Sequence, residues 1–333
     1  MKIAVDAMGG DHAPDVVVQG VLQAAIDPSF QIILIGDERV IGDRFGNDLK
    51  KAGVSIHHCE DKVLMDEPPL KAVRRKKDAS VRVAFDLVKR GEADAVVSAG
   101  HSGAMLAAAI LTLGRAPGVE RPAFASIYPG EKGEVVLIDV GANVDCRPVH
   151  LLQFGVMAHA FAATCRGMEN PRIGLLSIGQ EGGKGNEQVR QAHQLFQSSG
   201  LNFVGNVEGR DIFSGQIQVV VCDGFVGNVV LKVLEGMAES FADMLESAVK
   251  ELSPGKTGES VDPLIITRLK GKLDYAEYGG APILGIKGVG IVCHGGSSAK
   301  AVKNGIRMAA SHVRNGIPDR LAEAMGRFQG GHE

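Results

Sequence analysis

The chain has no long apolar run. Its longest nearly apolar stretch, Ala104 to Leu113, falls well short of the ~18 residues of a membrane-spanning helix. The apolar stretch after the first residues is about four residues long, too short for a signal-peptide core. Membrane spanning and secretion are therefore not expected, and attachment to a membrane surface stays open. Cysteine is scarce: five residues, at 59, 146, 165, 222 and 293, with no CxxC pair. That pattern points to a reduced, cytoplasmic protein without a zinc site. Neither charge sign dominates, with 36 Lys and Arg against 39 Asp and Glu. The basic excess of a nucleic-acid-binding domain is missing, so no nucleic acid partner is expected. Tryptophan is absent and aromatics make up 5%, yet 45% of residues are apolar and 23% charged, a globular composition rather than a disordered one. No GxxxxGK[ST] phosphate loop, no GxGxxG dinucleotide fingerprint and no internal repeat occur.

Glycine is what the chain has in excess, with 44 in 333 residues. That is nearly twice the usual ~7%. Such an excess suits tight turns and loops that approach a ligand closely. Short β-branched runs alternate with helical patterns. Strands are expected at Lys2–Asp6, Gln31–Ile35, Ala95–Ser98, Val135–Asp139, Arg172–Ser177, Val219–Cys222 and Gly290–Cys293. Helices are expected near 14–26, 70–90, 102–114, 148–166, 186–199, 227–252 and 297–316. This alternation predicts an α/β fold, a three-layer α/β/α sandwich. The length allows one large domain or two lobes. Ser253–Ser260 reads as a loop.

Ligands of such folds sit at the carboxyl ends of strands, beside helix starts. Six segments deserve attention on that ground. Asp6, Gly9, Gly10, Asp11 and His12 follow the first strand, and Pro14 suits a first helical turn. Lys71, Arg74 and Arg75 share a helix face, fit for phosphate or an acidic partner, or simply solvated. Ser98, Gly100, His101, Ser102 and Gly103 open an apolar helix whose N–H groups favour an anion. There His101 is an acid/base group or a polar cap. Asp139 and Asn143 follow a buried strand and either orient a cation or hold their own loop. Gly182, Gly183 and Gly185 surround Lys184, a compact charge for a phosphate or oxyanion, with Asn186 next to it. Asp223 and Asn228 bracket a helix start, and Cys222 reads as a small core residue.

Together these segments resemble the bacterial phosphate acyltransferase family, the acyl-carrier-protein:phosphate acyltransferases of phospholipid synthesis. DAMGGDHAP, AVRRKKDAS, DVGANVD, KGNE, DGFVGN and Tyr278-Gly279-Gly280-Ala281 occur in the family's order, and the resemblance spans the whole chain. It departs at SAGHSGA, where His101 replaces the family's amide, at Val226, where a hydroxyl is lost, and at Cys293-His294-Gly295-Gly296-Ser297. The resemblance implies an isocitrate/isopropylmalate dehydrogenase-like fold and a single catalytic domain over 1–333, with a protruding helical segment at 250–275. It also implies a homodimer, no metal and no organic cofactor. The implied reaction is acyl-ACP plus phosphate giving acyl phosphate plus ACP. The product would feed a membrane glycerol-3-phosphate acyltransferase.

The chemistry needs no Ser-His-Asp triad. Phosphate is already anionic near neutral pH, and a thiolate leaves readily, so positioning and oxyanion stabilisation carry most of the work. On placement and resemblance, Ser98, Gly100, His101, Ser102 and Gly103 are expected to bind phosphate. Lys184, Asn186, Asp223 and Asn228 are expected to be catalytic. Asp6, Gly9, Gly10, Asp11, His12, Asp139 and Asn143 are expected to form substrate loops. Lys71, Arg74 and Arg75 are expected to meet acyl carrier protein. Leu234, Met237, Phe241, Met244 and Ala248 form an apolar stripe, for a dimer seam or for the core. Ile265, Ile266 and Leu269 form another with basic neighbours, for the inner face of the membrane or for the core. A phosphotransacetylase acting on acyl-CoA and a non-catalytic, membrane-recruited ACP adaptor are the rival readings.

Overall fold

The computed structural model describes residues 1–251 and 275–330. The expected membrane stripe (Ile265, Ile266, Leu269) lies outside them, as do most of the expected protruding segment and the side chain of Ala248.

Eleven strands form one sheet in the order β3-β2-β1-β4-β11-β10-β5-β6-β9-β7-β8. They are β1 (Lys2–Asp6), β2 (Gln31–Gly36), β3 (Ser55–His58), β4 (Ala95–Ser98), β5 (Ala123–Gly130), β6 (Gly133–Ile138), β7 (Ile173–Leu176), β8 (Phe203–Val207), β9 (Val219–Val221), β10 (Ala281–Leu284) and β11 (Val289–Val292). The described helices are α1 (Asp15–Ala24), α2 (Glu38–Lys51), α3 (Pro69–Arg75), α4 (Ser80–Lys89), α5 (Ser102–Thr112), α6 (Pro148–Arg166), α7 (Glu187–Gln197), α8 (Gly224–Glu251), α9 (Ala299–Arg314) and α10 (Ile317–Gly330).

The sheet has two parallel halves. β3, β2, β1, β4 and β11 run together, and β6, β9, β7 and β8 run together in the opposite sense. Antiparallel pairings of β11 with β10, β10 with β5 and β5 with β6 join them. The parallel strands β1, β4, β7, β9 and β11 are apolar almost throughout, because helices cover both faces. Three buried clusters result. One packs β1 against α1 and α9, through Val18, Val21, Val302 and Ile306. One packs α4 and α5 through Phe85 and Met105, and one packs α6 and α10 through Phe154, Phe161 and Leu321.

Two sequence expectations change here. The helix expected over 70–90 is two helices, α3 and α4. The chain leaves α3 at Lys76 (ψ 83°), and Ala79 bridges to Asp61, whose carbonyl accepts from Ser80 N at 3.0 Å. Strands β3, β5, β8 and β10 and helices α2 and α10 add to the expected set. No described helix is long and apolar enough to cross a membrane.

Candidate active site

A cavity of about 700 Å³ opens where the carboxyl ends of both sheet halves meet. Gly100 and Ser102 reach it from the β4–α5 junction, and His294, Gly295 and Ser297 from the loop after β11. Val140 and Gly141 come from the loop after β6, and Asn228 from the first turn of α8. The apolar wall is Phe124, Ile127 and Tyr128 of β5, Phe213, and Leu231, Leu234, Met237, Ala238 and Phe241 of α8. Tyr128 packs edge-on to Phe213 at 6.5 Å, and burial pushes its phenol up to about 12.

Under the cavity the loops after β1 and β4 cross. Ser98 Oγ donates to Asp6 Oδ2 at 2.7 Å and accepts from Gly100 N at 3.0 Å. Met8 N donates to Asp6 Oδ1 at 3.0 Å. Burial pushes the Asp6 carboxyl above its usual range, against the Ser80 and Ser98 hydroxyls. A β-carbon on Gly9 would stand 2.7 Å from Gly100 N, so this crossing admits only glycine. Gly10 turns at φ 112°, and Asp11 N then donates to Gly295 O at 2.9 Å. The substrate loop expected from the sequence thus joins the loop after β11, while Asp11 and His12 stay exposed.

His101 caps α5, its Nδ1 accepting from Gly103 N at 3.1 Å. Of its two sequence readings, polar cap or acid/base, this geometry is the cap. Gly100 and Gly103 have likewise committed their amides to Ser98 Oγ and His101, so the α5 start offers an anion fewer donors than its sequence suggested.

Asp139 is fully buried and its oxygens are spent. Oδ1 accepts from the amides of Phe124, Gly141 and Ala142 at 2.9–3.2 Å; Oδ2 accepts from Asn143 N at 2.7 Å and Asn143 Nδ2 at 2.8 Å. Burial pushes this carboxyl up, against N–H donors that favour the charged form. Asn143 Nδ2 also reaches Pro122 O at 2.8 Å. Asp139 and Asn143 therefore hold their own loop together, the second of their two sequence readings. The start of α8 packs on that loop: Gly224 N donates to Asn143 O at 2.7 Å, and a β-carbon on Gly227 would collide with the Asp139 carbonyl. Asp223 Oδ1 accepts from Val226 N at 2.8 Å, capping the helix. Asn228 follows one turn in, exposed in the cavity wall beside Gly141. Cys222 is buried, and burial raises its thiol far above the usual range, as suits a core residue.

Lys184 and Asn186 lie on the loop after β7 and are not in the cavity wall. Lys184 is exposed, and Asn186 caps α7 by accepting from Val189 N at 2.9 Å. On α3, Lys71, Arg74 and Arg75 are exposed, and Arg75 pairs with Glu67 at 3.2 Å. This helix flanks the cavity, because Pro69 lies against Gly103 and Met65 lines the wall.

Sequence reasoning missed three polar residues of the wall. Lys232 Nζ lies 2.7 Å from Glu235 Oε2 and 2.8 Å from His294 Nε2. Gly296 N donates to His294 Nδ1 at 3.2 Å and fixes the ring. A signal was present: Asn228, Lys232 and Glu235 follow one another at helical spacing along one face. Among the described residues no group of three or more His, Cys, Asp or Glu is arranged to hold a metal ion.

Residues 1–320 match the family described as fatty acid synthesis protein. The chain belongs to that family. Its relatives include the phosphate acyltransferase of Syntrophotalea carbinolica, 51% identical over 97% of this chain and 94% of that one. The phosphate acyltransferase of Geobacter sulfurreducens is 49% identical over 98% and 94% of the two chains. Among solved structures, a phosphotransacetylase from Streptococcus pyogenes superposes with a TM-score of 0.61 at 20% identity, covering 94% of each chain. The 4-hydroxythreonine-4-phosphate dehydrogenase of Klebsiella pneumoniae gives 0.51 at 14% identity, covering 94% of this chain and 99% of that one. These likenesses bear out the dehydrogenase-like α/β fold expected for the family.

Proposed function

We propose that the protein is an acyltransferase that moves a fatty acyl group from acyl carrier protein to inorganic phosphate, giving acyl phosphate. One observation carries the reading: a single cavity joins an apolar wall, wide enough for an acyl chain, to a polar end built from two helix starts and a lysine. The relatives' name, phosphate acyltransferase, supports the same reaction. Catalysis then consists of holding an anion in line with a thioester carbonyl. Asn228, exposed beside Gly141, faces the carbonyl, and the apolar wall shields it from water.

The exposed Lys71 and Arg74 beside the cavity form the landing surface for an acidic carrier protein. On α8, Val229, Val233, Met237 and Met244 are each at least half exposed, an apolar row suited to a homodimer seam. Of the stripe offered to a dimer seam or to the core, Met237, Phe241 and Met244 are exposed, while Leu234 is half-buried in the cavity wall. The acyl phosphate would pass to a membrane glycerol-3-phosphate acyltransferase from a protein resting on the inner face of the membrane.

The test follows release of free ACP thiol from acyl-ACP at increasing phosphate, with acyl phosphate trapped by hydroxylamine. Saturable, phosphate-dependent release is expected. Release from acyl-CoA but not acyl-ACP would replace the reading with a phosphotransacetylase. Silence with both would leave the carrier-protein adaptor.

A further inference from the structure

Lys232 is the only lysine or arginine among the described residues lining the cavity; Glu235 is the only acid and His294 the only histidine. They form one cluster, at 2.7 Å and 2.8 Å from the ammonium, with 3.9 Å between His294 Nε2 and Glu235 Oε2. An ammonium has three N–H donors. One is spent on Glu235 and at most one on the His294 ring, which leaves at least one for a ligand. The Lys232 side chain is 50% exposed, so that donor is accessible.

The placement is as telling as the charge. Leu231, Leu234, Ala238 and Phe241, the apolar wall, stand on the same helix within about two turns of Lys232. Asn228 is one turn before it. A chain lying along α8 therefore ends its apolar part beside Lys232. Gly100 and Ser102 at the start of α5 and Ser297 just before α9 line the same space, and Ser297 Oγ is buried there without a hydrogen-bond partner among the described residues.

We infer that Lys232, held by Glu235 and His294, is the oxyanion-binding residue of this cavity and receives the phosphate acceptor. This assigns to Lys232 the role that the sequence suggested for Lys184, and it rests on the acyl-transfer reading above. In the step, an oxygen of hydrogenphosphate forms a bond to the thioester carbonyl carbon, the C–S bond breaks, and the phosphate's own proton passes to the leaving thiolate. Lys232 keeps its proton throughout and acts by charge and direction.

The experiment measures phosphate-dependent thiol release by the full-length protein. Wild-type turnover tests the reading; once it is present, the variants test the inference. Lys232→Gln is expected to raise the phosphate KM by about tenfold or more, with the acyl-donor KM within about twofold, and Lys232→Arg to recover part of the loss. Lys184→Gln is expected to leave the phosphate KM in place. A Lys232→Gln enzyme with an unchanged phosphate KM overturns the inference, as does a loss confined to Lys184→Gln. Should Lys232→Gln fail to fold, Glu235→Gln decides. Removing the opposing charge while keeping the shape is expected to lower the phosphate KM, and an unchanged or higher value overturns the proposal.

Discussion

Ser98 and Asp6 sit 92 residues apart in the chain and meet through a 2.7 Å hydrogen bond, buried where β4 and β1 end side by side. The serine hydroxyl both donates to the carboxylate and accepts the Gly100 amide, so it ties the two loops below the cavity. Ser98→Ala leaves a buried carboxylate oxygen and a half-buried amide without this partner. A cost of about 1–3 kcal/mol is expected, read as a lower urea midpoint with unchanged m.

Gly9→Ala places a methyl carbon 2.7 Å from Gly100 N and from Asp6 Oδ2, so the crossing loops must shift. Loss of turnover and a lower Tm are both expected. Gly183→Ala is the control, since nothing stands within 4 Å of its β-carbon position. Equal Tm and activity in the two variants would show that the crossing is not tight.

Lys71 and Arg74 carry exposed charge on a helix fixed to α5 by the buried Ala72 and Val73. Reversal to Glu at both positions is expected to raise the acyl-ACP KM and invert its salt dependence, so that added salt lowers it, with the phosphate KM unchanged. Steady-state kinetics from low to high ionic strength check this. A salt-independent wild-type KM would remove the docking role.

His312 is buried and stacks edge-on to Phe161 at 5.4 Å; burial lowers its pKa from 6.5 to about 4. Between these values the unfolded chain binds a proton that the folded one refuses. The stability contributed is therefore full above about pH 6.5 and is lost as pH falls toward 4. Wild-type Tm should drop more steeply than that of His312→Phe over this window. Parallel curves would place the acid sensitivity elsewhere.

Much of the sheet was legible because buried parallel strands are written as short apolar runs: Lys2–Asp6 and Ala95–Ser98 match β1 and β4 residue for residue. β3, with the sequence SIHH, and β8, with FVGNV, lack such a run, and their placement depends on neighbours. β5 and β10 carry Pro129 and Pro282, which speak against a strand until antiparallel partners are known. In the site, glycines and strand-end acids were readable as a group but not by role. The sequence cannot distinguish an Asp139 that accepts five hydrogen bonds from one that faces a ligand. Asn186 and His101 were conspicuous for the same reason that they make good caps. Lys232, inside a long helix with no glycine next to it, looked like one more solvated charge.

The hairpin of β10 and β11 stands between β4 and β5 in the sheet. Until the ribosome has passed Val292, β4 and β5 each present an unpaired edge, and the two halves of the sheet have no strand in common. Between the synthesis of Val221 and that of Val292 the nascent chain therefore holds two separate partial sheets. Its cavity closes only once Val292 is in place, so a chain cut short before that point is both inactive and open to edge-to-edge association.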